Sequence, residues 1–218
     1  MSASLKSILL VGCSFSDYCG FGEIVGNHDD PRCWYNIVST KTNVSITNIS
    51  YGGLSNQEIL YRAIQEILST HYDVVIIQTT STRRRWFWRN NSTDFCIFNG
   101  GRVSNTKTNL ETNSIIEVGI NFFNTRKEIE QDLLKLILLQ NYCKQHDSKM
   151  ILINGMGFLE QARGFPMLFN QLDKTQFLSD DNASWMSQML DFADDNMHPG
   201  EKTNKLYAEQ VINHPNFI

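Results

Sequence analysis

A serine, an aspartate and a histidine stand at positions in this chain where they could form a nucleophile and its base. Ser14 lies in the run GCSFS directly after an apolar segment, and Asp195 precedes His198 by three residues in the run DDNMHPG. A serine hydroxyl becomes a nucleophile when a histidine takes its proton, and a carboxylate can hold that histidine in the required tautomer. These residue types indicate acyl-transfer chemistry, provided that the fold brings them together.

The elements that would position these residues alternate between strands and helices. Short apolar or β-branched runs predict strands at 7–12, 44–50, 73–78 and 149–154. Apolar positions at three- and four-residue spacing predict helices at 55–68, 126–146 and 199–212. Ser55 and Glu58 form a capping box at the start of the first of these, and Pro199 lies in the first turn of the last. This alternation predicts a parallel sheet covered by helices on both faces.

In an open parallel sheet, ligands bind beyond the carboxyl ends of the strands. Ser14 follows the first predicted strand, Gly53 and Asn56 follow the second, and Ser81 follows the third. Backbone N–H groups at glycines and side-chain donors can stabilise a developing oxyanion. We therefore expect these loops to meet at one edge, where Asp195 and His198 would have to join them.

The segment 79–125 interrupts the alternation and shows no clear periodicity. Its aromatic residues argue against disorder, and residues 83–130 hold eight Lys and Arg against five Asp and Glu. Loops of this length in compact domains are usually functional or disordered. The segment is a candidate lid, in which Arg83, Arg84 and Trp86 would contact the substrate; a solvated basic face or a small satellite core are the alternatives.

Composition narrows the class of protein. The chain has 218 residues, 41% hydrophobic and 19% charged, with a net charge of −4, which fits one globular domain over 1–218 and disfavours both disorder and nucleic-acid binding. No apolar run approaches the roughly 20 residues of a membrane span, and the short run near the start does not fit a signal peptide. Five cysteines without a CxxC pair fit a reducing compartment, so we expect a cytoplasmic protein.

The order of these motifs resembles that of the SGNH, or GDSL-like, hydrolases. The run GCSFS is similar to their first block, with Cys13 in place of aspartate; NISYGGLSNQEI is similar to the second, and DDNMHPG to the last. The resemblance implies an α/β fold, a flavodoxin-like three-layer α/β/α sandwich. It also implies Ser14 as nucleophile, His198 as general base, Asp195 as its orienting carboxylate and Gly53 as an oxyanion donor.

The third block departs from the family pattern. The family has Gly-x-Asn-Asp after the third strand, whereas this chain has IIQTTSTRR, which offers Thr80, Ser81 or Thr82, with Asn56 as a substitute from the second block. Loss of one oxyanion donor typically lowers the rate about 10²–10³-fold. Two hypotheses therefore stay open: a serine-dependent ester hydrolase or deacylase, and a weakly active or inactive binding or structural protein that holds a ligand or partner through the 79–125 segment.

Other chemistries have little support in the sequence. There is no HExxH run, Cys/His cluster, P-loop or dinucleotide fingerprint, so neither a metal nor a cofactor is predicted. The predicted partner is a small-molecule or carbohydrate ester. The sequence does not indicate the natural acyl group or the oligomeric state.

Overall fold

The computed structural model describes residues 6–17, 21, 29–82, 84–88, 95–99, 102–104, 125–178 and 184–217, the three ranges between 84 and 104 by their backbone. In chain order its elements are β1 Ser7–Val11, α1 Trp34–Thr42, β2 Ser45–Asn48, α2 Asn56–Ser69, β3 Val74–Thr79, β4 Arg84–Trp88, β5 Phe95–Asn99, β6 Arg102–Ser104, α3 Thr125–Gln145, β7 Lys149–Asn154, α4 Phe158–Ala162, α5 Pro166–Phe169 and α6 Glu201–Ile212. Two 3₁₀ turns occupy Lys174–Gln176 and Trp185–Gln188.

Four parallel strands form the central sheet in the order β2-β1-β3-β7. Leu10 of β1 lies opposite Asn48 at the end of β2. At the other side of the sheet, Thr79 at the end of β3 lies opposite Asn154 at the end of β7. The four strands therefore end at the same side of the sheet, which we call the carboxyl edge.

Alternate residues of the strands pack into two separate apolar clusters, one on each face of the sheet. Leu9, Val75 and Leu152 point to the face covered by α2, α3, α4 and α5. Leu10 and Ile76 point to the opposite face, which α1 and α6 cover. Each fully buried aliphatic side chain contributes roughly 1.5–3 kcal/mol, so both helical layers are held by burial. The predicted three-layer α/β/α sandwich is confirmed.

Helix α2 begins where the sequence predicts. The Ser55 hydroxyl accepts a hydrogen bond from the N–H of Glu58 at 3.3 Å, which satisfies one of the unpaired donors of the first turn. The Glu58 carboxylate does not complete the reciprocal half of the box: it accepts instead from Arg62 Nε at 2.9 Å. The cap comes from the serine alone.

Helix α6 begins two residues later than predicted, and α1 was not predicted at all. Pro199 precedes α6 because it pairs with Phe192 in an isolated bridge, and Gly200 is the residue before the helix. Helix α1 follows Cys33, which makes no side-chain cap, and buries only three side chains. Its helical conformation depends on tertiary contacts rather than on a local signal.

Part of the segment 79–125, which shows no clear periodicity in the sequence, forms strands. Strands β4, β5 and β6 form a three-stranded antiparallel sheet, and the backbone of β4 approaches α2. Their sequences, RRWFW, FCIFN and RVS, do not alternate between polar and apolar residues. Aromatic and β-branched residues favour strands even without alternation, which explains why the periodicity was uninformative. None of the helices in the described ranges has the length and apolar character needed to cross a membrane.

A buried histidine after α6 contacts Phe177, which in turn pairs with Leu152 of β7. The Nε2–H of His214 donates to the carbonyl of Phe177 at 3.1 Å, and Nδ1 accepts from the N–H of Asn216 at 3.1 Å. Both ring nitrogens are thus used by the neutral ring. Burial lowers the pKa of His214, and the contact with the Phe177 carbonyl offsets this only in part.

The contribution of His214 to stability is expected to depend on pH. The unfolded chain takes up a proton on this ring near pH 6.5, whereas the folded chain keeps the ring neutral to a lower pH, so the stabilisation declines as the pH falls below about 6.5. His214→Asn should therefore cost more unfolding free energy at pH 7.5 than at pH 5.5, measured by urea denaturation. His71→Asn, at an exposed position, is the control. An equal penalty at both pH values would contradict this interpretation.

Candidate active site

Ser14 lies in a tight turn at the carboxyl edge. After β1, the N–H of Ser16 donates to the carbonyl of Cys13 at 2.9 Å and closes the turn around Ser14, which is 4% exposed. Neither the N–H nor the Oγ of Ser14 has a hydrogen-bond partner among the described residues, so Ser14 makes no hydrogen bond to His198. The hydroxyl is therefore not hydrogen-bonded to a base here, and hydrogen bonds between a nucleophile and its base are often loose in sites without substrate.

The loop after β2 docks directly on this turn. Asn48 Nδ2 donates to the carbonyl of Ser16 at 2.7 Å, and the N–H of Tyr51 donates to the carbonyl of Gly12 at 3.2 Å. Gly53 follows with a φ of 85°, a left-handed conformation that favours glycine. In the part of the chain that the structure describes, no group accepts from the Gly53 N–H. The backbone donors of Gly53 and Ser14 thus remain available at this edge.

Asp17 is a site residue that the sequence reasoning missed. Its carboxylate is fully buried and accepts from the N–H of Gly52 at 2.7 Å, which fixes the loop that carries Gly53. Its carbonyl accepts from the hydroxyl of Tyr35. The sequence gives no local signal for this role, because the partner that a buried carboxylate needs lies far from it along the chain.

Asn56 and Ser81 lie at the same edge, after β2 and β3. The Asn56 side chain pairs with the Thr80 backbone: Oδ1 accepts from the N–H at 2.7 Å, and Nδ2 donates to the carbonyl at 3.1 Å. The Thr80 hydroxyl contacts Met156 Sδ at 3.2 Å, and the Thr82 hydroxyl donates to Gln161. Most of the polar capacity of Asn56 and Thr80 therefore holds the loop after β3.

His198 and Asp195 form a hydrogen-bonded pair. Asp195 Oδ2 contacts His198 Nδ1, while Oδ1 accepts from the N–H groups of Met197 and His198 at 2.9 and 3.0 Å. Burial would raise the pKa of the Asp195 carboxyl, but these hydrogen bonds outweigh it and hold the pKa below its usual value. The carboxylate thus stays ionised and orients the ring with Nδ1 toward itself.

The neighbouring carboxylate, Asp194, points elsewhere. Its side chain is 82% exposed and lies 3.9 Å from Arg32 Nη1. The same guanidinium is held more closely by Asp30, at 2.8 Å. Of the two adjacent aspartates, only Asp195 therefore contacts the imidazole.

A ring contact and one buried amide bring the His198 loop to the Ser14 turn. The rings of Phe15 and His198 meet edge to face with their centroids 5.8 Å apart. Asn204 of α6 accepts from the N–H of Trp34 at 3.0 Å and donates to the carbonyl of Pro199 at 2.8 Å. The Trp34 indole donates in turn to the Phe15 carbonyl at 3.0 Å. The turn, α1 and the His198 loop are thus joined through a single network.

Three of the predicted site residues belong to the segment 79–125. Arg83 lies outside the described residues, and Arg84 and Trp86 lie two residues apart on β4, where only the backbone is described. Within the described ranges, no three His, Cys, Asp or Glu side chains are grouped to hold a metal ion.

No family model matches the sequence, and no curated protein matches it. Solved structures do match. The acetylxylan esterase Axe2 from Geobacillus stearothermophilus, as a catalytic mutant, gives a TM-score of 0.57 at 12% identity, over 100% of this chain and 98% of that chain. TesA gives 0.55 at 15% identity, over 94% and 96%.

The psychrotrophic esterase EstA from a Pseudoalteromonas species gives a TM-score of 0.50 at 14% identity, over 96% of each chain. The chain has the SGNH/GDSL-like hydrolase fold. The central parallel sheet and its helical layers are those of the SGNH fold over nearly the whole length. At identities this low, the SGNH likeness concerns the fold, and the chemistry has to be argued from the side chains.

Asn204→Leu should destabilise the chain strongly, because the N–H of Trp34 and the carbonyl of Pro199 would lose their partner in a buried region. Each such group costs about 1–3 kcal/mol when left unpaired. The unfolding free energy from urea denaturation measures this loss. Asn141→Leu, at an exposed position of α3, is the control and should change stability by less than about 0.5 kcal/mol. Similar values for the two variants would contradict the assigned network.

Proposed function

We propose that this chain is a serine-dependent ester hydrolase or deacylase that acts on an acylated small molecule or carbohydrate. The observation that carries the proposal is the His198 imidazole, fixed by Asp195 through Nδ1 and packed edge to face on Phe15, the residue after Ser14. With Nδ1 directed at Asp195, Nε2 is the ring nitrogen that we assign as the base.

In the proposed reaction, Ser14 Oγ attacks the acyl carbon of the ester while His198 Nε2 takes the hydroxyl proton. The tetrahedral intermediate collapses, the C–O bond to the alcohol breaks, and His198 returns the proton to the leaving oxygen. Water then attacks the acyl-serine with the same base, which releases the acid and restores Ser14. Asp195 holds Nδ1–H throughout and stabilises the imidazolium.

The N–H groups of Ser14 and Gly53 are the proposed oxyanion donors. Both are without an acceptor among the described residues, and both lie in loops fixed by hydrogen bonds to neighbouring backbone. Backbone donors that are already oriented need no rearrangement as charge develops. Asn56 is a poorer candidate, since Thr80 occupies both ends of its amide.

The proposed substrate class draws on one solved structure and on the residues of 79–125. One matching structure is an acetylxylan esterase by name, which favours a carbohydrate ester as one form of the substrate. We propose that 79–125 covers the carboxyl edge and that Arg83, Arg84 and Trp86 select the substrate. Arginine can pair with a carboxylate or phosphate, and tryptophan can stack on a sugar.

A binding or structural protein with the same fold is the second candidate. The observation in its favour is the loop after β3, where Thr80 is engaged with Asn56 and Met156 and leaves the site without the family's asparagine donor. A chain of this kind would bind its ligand without turning it over.

Ser14→Ala should abolish hydrolysis of p-nitrophenyl acetate and labelling by a fluorophosphonate probe, since no other hydroxyl would attack. His198→Ala should lower kcat by about 10³-fold or more, because the hydroxyl loses its base. Ser16→Ala is the matched control: it lies in the same turn, and its buried Oγ makes no hydrogen bond. No turnover and no labelling by the folded wild type would favour the second candidate.

Asp195→Asn should lower kcat by about 10²–10⁴-fold, because an amide in place of the carboxylate can hold the ring in the wrong tautomer. The adjacent Asp194→Asn removes one charge from the same loop, but among the described residues the Asp194 side chain pairs with Arg32 and not with His198, so its kcat should stay within about twofold of the wild type. Steady-state kinetics on p-nitrophenyl acetate compares the two. If the two variants are equally impaired, or the effects are reversed, the assignment of Asp195 is wrong.

A further inference from the structure

Gln78 places an amide near the carboxyl end of a central strand of the apolar sheet. It is the penultimate residue of β3, a central strand, and its side chain is fully buried. Burying an amide costs free energy unless its polar atoms are paired, so an amide at this position requires specific partners. Those partners lie in the turn that carries Ser14.

The amide grips Cys13, the residue immediately before Ser14. Gln78 Oε1 accepts from the N–H of Cys13 at 3.3 Å, while Nε2 contacts Cys13 Sγ at 3.1 Å and the carbonyl of Thr79 at 3.3 Å. These contacts also show which end of the amide is the oxygen. In the opposite orientation the NH₂ group of Gln78 would face the Cys13 N–H, and two donors cannot form a hydrogen bond with each other. All of these atoms are buried, so water does not compete for them.

Two glycines leave room for this amide. A Cβ at Gly12 would lie 2.6 Å from Gln78 Oε1, and a Cβ at Gly155 would lie 2.2 Å from Nε2. Gly12 directly follows β1 and Gly155 directly follows β7, the two strands beside β3. The absence of a side chain at both positions leaves space for the Gln78 side chain. The packing thus holds the amide in a single place.

We propose that Gln78 is the positioning residue for Ser14, an inference that rests on the esterase function proposed above. Cys13 is fixed at both ends: Gln78 holds its N–H, and the N–H of Ser16 holds its carbonyl. Gln78 thereby sets the peptide plane between Gly12 and Cys13, and the Ser16 contact sets the plane between Cys13 and Ser14. The two planes together fix the Cys13 backbone, and with it the direction of the Ser14 N–H and the starting point of the Ser14 side chain. Gln78 itself does not touch the substrate.

The test replaces the amide by an apolar chain of similar length, Gln78→Met. We expect kcat for p-nitrophenyl acetate and the rate of fluorophosphonate labelling to fall together, by about 10–100-fold, because a displacement of about 1 Å at a reacting group costs that much. KM should stay within about twofold, since the residue makes no substrate contact. If Gln78→Met does not fold, Gln78→Asn takes its place; its amide is one methylene too short to reach Cys13.

Gln140→Met is the matched control. Gln140 is also a buried amide that holds backbone, accepting from the N–H of Asp173 at 3.0 Å and donating to its carbonyl at 3.3 Å, but it lies on α3. Its loss should lower the melting temperature and leave kcat and labelling unchanged. A merely structural Gln78 would give the same pattern as this control.

Two failures can be told apart. If Ser14→Ala retains hydrolysis and labelling, the proposed esterase site is wrong, whatever Gln78 does. If Ser14→Ala is inactive but the folded Gln78 variant keeps kcat and labelling within about threefold of the wild type, the esterase proposal stands and the positioning role of Gln78 is overturned.

Discussion

The buried amide of Asn204 is the interaction on which the arrangement of the site depends. It joins the backbone of α1 to the backbone beside His198, and Trp34, the residue that it contacts on α1, lies 170 positions before it in the sequence. The Trp34 indole extends that link to the Ser14 turn. An imidazole can face a hydroxyl only if both backbones are held, and within the described residues the hydrogen bonds of the Asn204 side chain all go to main-chain atoms. Apolar burial stabilises the layers, whereas the Asn204 amide joins α1 to the loop that carries His198.

The same solution recurs along the carboxyl edge. Asp17, Asn48, Asn56 and Gln78 all direct their polar atoms at the backbone of a neighbouring loop rather than at solvent. Loops without regular structure have unpaired main-chain groups, and burying them requires partners of this kind. The result is a rim in which side chains hold the loops, while the N–H groups of Ser14 and Gly53 have no acceptor among the described residues. The third block departs from the family pattern at this loop. Its residue Thr80 offers its backbone N–H and carbonyl to the Asn56 side chain, so it acts here as a structural contact of the loop.

The sequence was sufficient for the layered architecture, since buried parallel strands such as β3 and amphipathic helices such as α2 carry strong local signals. It was insufficient for α1, whose ends depend on contacts with α6, and for β4 to β6, whose residues do not alternate. The spacing of three residues between Asp195 and His198 indicated that these two residues pair, because a short turn brings them together locally. The roles of Asp17, Gln78 and Asn204 could not be read in advance, because a buried polar residue is defined by partners far away in the chain.

His214 has a consequence at the far side of the sheet. Strand β7 is an edge strand of sequence KMILIN, and its open side is covered at Leu152, which pairs with Phe177 and accepts from the N–H of Leu178 at 2.9 Å. His214 anchors the Phe177 carbonyl. An apolar edge strand with open hydrogen-bonding groups is a template on which another chain can add a strand. Through Phe177, His214 therefore helps to cover part of this edge, and loss of its contact would leave more of the hydrogen-bonding groups of β7 open to another strand.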